Sequence, residues 1–337
     1  MNPAHGERLA APLVHIGYHK TGSTWLQDHL FSRADAGFTV PFNRKTVLQD
    51  ALISPQPLMF DAAECKRLLR PAVDRLLAAG RIPVITSESL SGEINSGGWQ
   101  AKEMADRIKS VFPDARILVV IREQKSMVLS SYAMYLRGHG LASLKDFLDP
   151  PRPALGQPFF SLDYLNYDRL IAYYQALFGR DRVLALPYEL LAGRPEEFSG
   201  AILGFAGARP IGDLPYDARP KRMWPAFSVA FRRYTSPFFN RTVVNGYSWM
   251  CPDMRLLYVS NWFFWRGLNP HVPAFLDRPI LRRWRRRIAG RLAGIYADSN
   301  ARTAALIGRD LAALGYEVAA AAQVEAPVRE LKIVGAR

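Results

Sequence analysis

Residues 115–122 read ARILVVIR, and this run limits the possible folds more than any other part of the chain. Apolar, mostly β-branched side chains fill positions 117–121 without alternation, as in a strand buried on both faces inside a parallel sheet. The segment just before it, QAKEMADRIKSVFP at 100–113, puts Met104, Ile108 and Val111 on one helical face and is stopped by Pro113. Helix, stop and buried strand in succession are one half of a repeating helix–strand unit.

The same alternation runs through the first two thirds of the chain. An apolar run at 13–17 precedes a helical spacing of Trp25, Leu26, His29 and Leu30. A helix over 63–79 leads to the β-rich IPVIT at 82–86, and a helix over 126–136 follows the buried strand. Later come a helix over 163–178, a strand over 182–187 and a helix opening on Pro195 at its first turn. The expectation is an α/β fold: a three-layer, P-loop-like parallel sheet flanked by helices. Such sheets bind ligands beyond the carboxyl ends of their strands, which makes the residues after Gly17, Thr86, Ile121 and Leu186 site candidates.

The rest is less regular. Residues 138–162, rich in Gly and Pro, read as an excursion over the site, and 210–279 as an irregular or helical substrate cap. Two closing helices follow, the first with an apolar stripe of Ile280, Leu281, Trp284, Ile288, Leu292 and Ile295. The chain therefore reads as one domain over 1–337, with a core at about 13–206 and 280–315, a cap at about 207–279 and a tail at 316–337.

Composition narrows the partners. The 337 residues are 49% hydrophobic, enough for a full globular core, and no apolar run approaches the roughly 18 residues that span a bilayer. With no apolar segment at the start either, the expected setting is the cytoplasm. Cys65 and Cys251 stand far apart, which argues against a disulfide framework or a zinc cluster. A formal charge of +14 favours anionic ligands, but no zinc-finger spacing, RNP-type aromatic pattern or basic zipper is present, so nucleic acid is not expected.

The stretch HIGYHKTGSTW at 15–25 carries the clearest chemistry. A P-loop for ATP has the pattern G-x-x-x-x-G-K-[ST], and here His19 precedes Lys20 while Val14 stands six positions before it. Both glycines are missing. What remains is a strand, a lysine, and Thr21, Gly22, Ser23 and Thr24 leading into a helix, a set of backbone N–H groups, hydroxyls and a point charge that suits a phosphate. Ser23 and Thr24 are equally ordinary helix N-caps.

GYHKTGSTWL resembles the 5'-phosphosulfate loop of sulfotransferases that use 3'-phosphoadenosine 5'-phosphosulfate (PAPS), with His19 where that family commonly has proline. VVIREQKSMVLSSY resembles the family's 3'-phosphate segment, which assigns Arg122 and Ser130 to that phosphate; taken singly, they would be a surface charge and a small packing residue. LPYELL resembles the family's Tyr-Glu-x-Leu, with Tyr188 as an adenine contact, and the C-terminal helices are similar to those of bacterial, carbohydrate-type members. The resemblance spans about residues 13–315. It implies a sulfotransferase with PAPS as co-substrate and no metal, using Lys20, Thr21, Gly22, Ser23, Thr24, Trp25, Arg122, Ser130 and Tyr188 for the nucleotide.

For the transfer step, Lys20 is expected to stabilise charge on the leaving phosphate oxygen. Glu88, just after IPVIT, is the leading base, since several glycan-modifying members use glutamate; it could instead cap the following turn. His19 is the second candidate and His139 the third. The family's C-terminal Arg-Lys-Gly element is absent, and Lys221-Arg222 or the Arg-rich helix would have to replace it.

A carbohydrate, glycolipid or polysaccharide hydroxyl is the expected acceptor, from the aromatics at 224–265 interleaved with Arg. Arg282, Arg283, Arg285, Arg286, Arg287 and Arg291, with no acid among them, suit either a solvated face or peripheral contact of helix 280–292 with an anionic membrane, on the cytoplasmic side. The competing functions are a P-loop kinase, which would want glycine before Lys20 and an acidic magnesium ligand where the strand ends in Arg122, and a non-catalytic nucleotide- or glycan-binding protein of the same fold.

Overall fold

The computed structural model describes residues 11–42, 47–150, 160–217, 223–238 and 259–320. Five strands form one sheet: β1 (Leu13–His15), β2 (Phe38–Thr39), β3 (Ile82–Thr86), β4 (Arg116–Ile121) and β5 (Val183–Pro187). Their order is β2-β3-β1-β4-β5 with every neighbouring pair parallel, the P-loop-like α/β arrangement. The expected fold class holds. The two-residue β2 is too short to leave a period in the sequence.

The uninterrupted apolar run of β4 has a direct structural cause. Ile117, Val119 and Ile121 face one core and Leu118 and Val120 the other, all five fully buried. On the first side lie the helices Ala62–Ala78, Ala101–Val111, Gln124–Arg137 and Tyr167–Phe178, which bury residues such as Val73, Ile108, Met127 and Ile171. On the second side, the helical segment that begins with Ser23–Trp25 and continues as the wider turn Leu26–Leu30 packs with the helix Pro195–Ala206. These are the three layers. All strands run the same way, so the loops after β1, β3, β4 and β5 share one edge of the sheet.

Two expectations need correction. The helix expected from 280 begins at Ala274, with Pro279 inside it, because Phe227 N donates to Asp277 Oδ1 at 3.0 Å and holds the early turns in place. That helix ends at Leu292, so Ile295 falls outside the apolar stripe and is 43% exposed, while Trp284, Ile288 and Leu292 are buried as expected. Within the cap, Ala226–Thr235 is a regular helix whose Ala226 and Val229 join the main core. Cys251, Lys221 and Arg222 lie outside the described residues. Among the described residues, no helix is long and apolar enough to cross a membrane.

Candidate active site

The loop that follows β1 has an unusual backbone. Lys20 has φ 66°, one of two non-glycine residues with positive φ among the described residues, and Gly22 has φ 84°. A left-handed lysine costs conformational energy and persists only where its surroundings enforce it, a pattern that concentrates at functional sites. Two contacts do the enforcing. Thr21 Oγ1 donates to the Tyr18 carbonyl oxygen at 2.5 Å, and Arg122 Nη1 donates to the Lys20 carbonyl oxygen at 2.9 Å.

Gly22 sits immediately before the first helical turn, and a Cβ there would stand 3.0 Å from Leu191 Cδ2 and 3.1 Å from Tyr188 Cε2. Glycine is required twice over, for its φ and for the close approach of the segment after β5. The Arg122 guanidinium lies 5.0 Å from the Tyr188 ring centroid. The structure thus brings Lys20, Gly22, Arg122 and Tyr188, from three separate stretches of chain, into one cluster.

The hydroxyls divide. Thr21 is fully buried and its side chain is engaged within the loop, so it offers a ligand only its backbone N–H. Ser23 is also buried, yet its Oγ has no hydrogen-bond partner, an arrangement that costs free energy unless something else supplies one. Trp25 is turned away into the second core, stacked on Tyr216 at 5.8 Å with its Nε1 donating to the Pro215 carbonyl oxygen. Ser130 is half-buried two turns into the Gln124–Arg137 helix and makes no side-chain hydrogen bond among the described residues. Thr24 is half-buried at the start of the helical segment after the loop.

Beside this loop the residues after β3 form an acidic edge. His19 Nε2 stands 4.0 Å from Glu88 Oε2 and 3.8 Å from Glu93 Oε1, with the His19 side chain 10% exposed and the two glutamates about 40% exposed, at 39% and 42%. Glu88 does not cap the turn that it opens; Ser87 does, its Oγ accepting from Ser89 N at 3.3 Å. Ser91 steadies the backbone, its Oγ donating to the Glu88 carbonyl oxygen at 3.0 Å and lying 2.9 Å from the Tyr164 hydroxyl. Burial holds the Tyr164 phenol above its usual pKa, so it stays protonated.

His139 is placed elsewhere. It lies past the far end of the Gln124–Arg137 helix, roughly 20 Å along the axis from Arg122, with its Nε2 2.8 Å from Arg232 Nη2. Burial, and then Arg232, lower its pKa to about 4, so it is neutral at pH 7 and engaged with Arg232 and Ser236.

The end of β4 leads into a second ordered junction. Glu123 caps the Gln124–Arg137 helix through Lys125 N and Ser126 N, and its own N–H donates to Glu189 Oε1 at 2.9 Å. Residues 100–210, which hold β4, Arg122, Ser130, β5, Tyr188 and Glu189, match the model of the Sulfotransferase family. Over this stretch the chain is similar to the Sulfotransferase family. The sulfotransferase match leaves out Lys20 and Glu88; the fold brings Lys20 to Arg122 and Glu88 beside His19.

Among solved structures, a sulfotransferase from Alicyclobacillus acidocaldarius is 18% identical, with 90% of this chain and 99% of that chain covered and a TM-score of 0.45. The sulfotransferase domain from the curacin biosynthetic pathway is 15% identical over 84% of this chain and 98% of that one, TM-score 0.39. Mouse sulfotransferase SULT7A1 complexed with PAP is 16% identical over 88% and 89%, TM-score 0.37. No curated protein matches the chain.

Glu93, Ser91, Tyr164 and Glu189 are site residues that sequence reasoning did not single out. Only Glu189 had a local signal, since it is the second residue of the Tyr-Glu-x-Leu stretch. It is mostly buried, its carboxyl held above the usual range by desolvation, and its second oxygen accepts from the Tyr316 hydroxyl at 2.8 Å.

Proposed function

We propose that this chain transfers a sulfuryl group from PAPS to a hydroxyl of a carbohydrate, glycolipid or polysaccharide. The observation that carries the reading is the loop after β1: a left-handed Lys20 whose carbonyl is held by Arg122, a Gly22 whose φ and close neighbours disfavour a side chain, and a buried Ser23 hydroxyl without a partner. That set fits a phosphate-bearing ligand. The Sulfotransferase match over 100–210 favours a phosphosulfate over the γ-phosphate of ATP, as does the absence of the two P-loop glycines.

PAPS, when bound, supplies the sulfuryl group and a phosphate leaving group. In this reading the backbone N–H groups of Thr21, Gly22, Ser23 and Thr24 and the Ser23 hydroxyl hold the 5'-phosphate, and Lys20 offsets the charge that grows on its bridging oxygen. Arg122, with Nε and Nη2 not hydrogen-bonded among the described residues, and Ser130 serve the 3'-phosphate; the Tyr188 ring serves the adenine. Trp25 supports the loop from behind instead of touching the nucleotide.

The acceptor oxygen forms the new S–O bond as the phosphate–sulfur bond breaks, and its proton must leave. Glu88 is the base: its carboxylate is accessible, freed from capping by Ser87 and carried on a turn fixed by Ser91. His19, between Glu88 and Glu93, orients this edge and is the second candidate. Transfer of radiolabelled sulfate from PAPS across a panel of carbohydrate and glycolipid acceptors tests the reading; labelling of none of them would count against it.

A further inference from the structure

The cap and the helix after it expose side chains that water does not favour. Trp262, Phe263, Trp265 and Phe275 are 56%, 47%, 65% and 73% exposed. Single exposed aromatics are commonplace, but four within residues 262–275 concentrate exposed apolar surface of the kind that marks an interaction site. A cavity of about 590 Å3 opens between Trp262, Trp265 and Arg266, also lined by Asn261 and Pro270.

The neighbouring helix, Ala274–Leu292, buries Trp284, Ile288 and Leu292. At helical spacing the opposite face carries Phe275, Pro279, Arg282 and Arg286, flanked by Arg283 and Arg287. These four arginines are exposed and make no ion pair among the described residues. Arg291 differs, since its Nη2 pairs with Asp149 Oδ1 at 2.6 Å, and the helix's one acid, Asp277, accepts from the Phe227 backbone. The outward face of this helix therefore passes from Phe275 to an uncompensated cationic row, and Trp262 and Trp265 are exposed on the segment before it.

We propose that this face docks on an anionic lipid bilayer, with Trp262, Trp265 and Phe275 among the headgroups and Arg282 and Arg286 on lipid phosphates. Aromatic rings with an apolar body, set beside arginines on one helix face, match the layering of a bilayer surface. A nucleic acid or acidic polysaccharide would answer the arginines and leave the aromatic end in water. The contact is peripheral and independent of what the active site transfers.

Co-sedimentation of the full chain with vesicles of phosphatidylcholine alone, or mixed in equal parts with phosphatidylglycerol, tests the proposal. Binding is expected on the mixed vesicles, with little on phosphatidylcholine alone, and is expected to fall in high salt. The R282E/R286E pair should reduce it by at least about ten-fold, and the W262S/W265S/F275S triple should reduce it at unchanged salt dependence. Brominated lipid should quench the wild-type tryptophan fluorescence, a readout that needs no variant to fold. PAP affinity unchanged in the W262S/W265S/F275S triple separates this surface from the donor site. Absence of vesicle binding, equal binding by the charge-reversed pair, or retention by heparin or RNA without vesicle binding would overturn it.

Discussion

Arg122 Nη1 donates to the Lys20 carbonyl oxygen at 2.9 Å, joining residues 102 apart in sequence. The contact holds Lys20 in its left-handed conformation from the end of β4, so the two segments proposed to bind the nucleotide depend on each other. Arg122→Ala is therefore expected to weaken PAP binding by about 10- to 100-fold, more than removal of a single ligand contact at Ser130→Ala. Calorimetric titration of both variants checks this, and equal affinities for Arg122→Ala and wild type would remove Arg122 from the site.

Gly22 is the second fixed point. A Cβ at this position meets Leu191 and Tyr188 at φ +84°, whereas at Gly80, φ +67°, it meets nothing within 4 Å. Gly80→Ala should cost about 1 kcal/mol from backbone strain alone. Gly22→Ala should cost more and also lower PAP affinity, read by chemical denaturation and titration of the two variants side by side.

The acid–base assignment separates three neighbours. Glu88→Gln is expected to lower kcat by about 10^2- to 10^4-fold with PAP affinity near wild type. Glu93→Gln and His19→Gln should lower it less, since in this reading they orient and do not take the proton. Steady-state kinetics on the three variants decide the matter; an unimpaired Glu88→Gln with a dead His19→Gln would move the base to His19.

How much of this was legible beforehand follows from where each signal resides. The buried strand at 117–121 and the stop at Pro113 are local facts, and β4 falls where they place it. Pro279 misled in the opposite way: proline usually marks a boundary, but the Asp277 contact with Phe227 holds this helix together through it. At the site, Lys20 and Arg122 follow from strand ends and motif. The inward turn of Thr21, the rearward Trp25 and the partnership of Glu93 with His19 depend on side-chain directions and on contacts between distant segments, which no local pattern encodes.

His139 gives a pH signature. Its pKa is lowered to about 4 by burial and by Arg232, against roughly 6.5 in an unfolded chain. Above pH 6.5 both states are neutral and stability is full. As pH falls from about 6.5 toward 4 the unfolded chain takes up a proton that the folded protein refuses, so stability is lost by an amount on the order of 2–3 kcal/mol. His139→Asn, which tolerates the left-handed backbone at φ 70°, should flatten this dependence. Denaturant unfolding at pH 7 and pH 5 for both proteins measures the difference.

The donor identity is tested most directly by calorimetric titration of the protein with PAP and with ATP, repeated on Lys20→Ala. The expected result is saturable PAP binding, much weaker ATP binding and a marked loss of PAP affinity in the variant. Tight binding of ATP with none of PAP would contradict a phosphosulfate loop at Lys20.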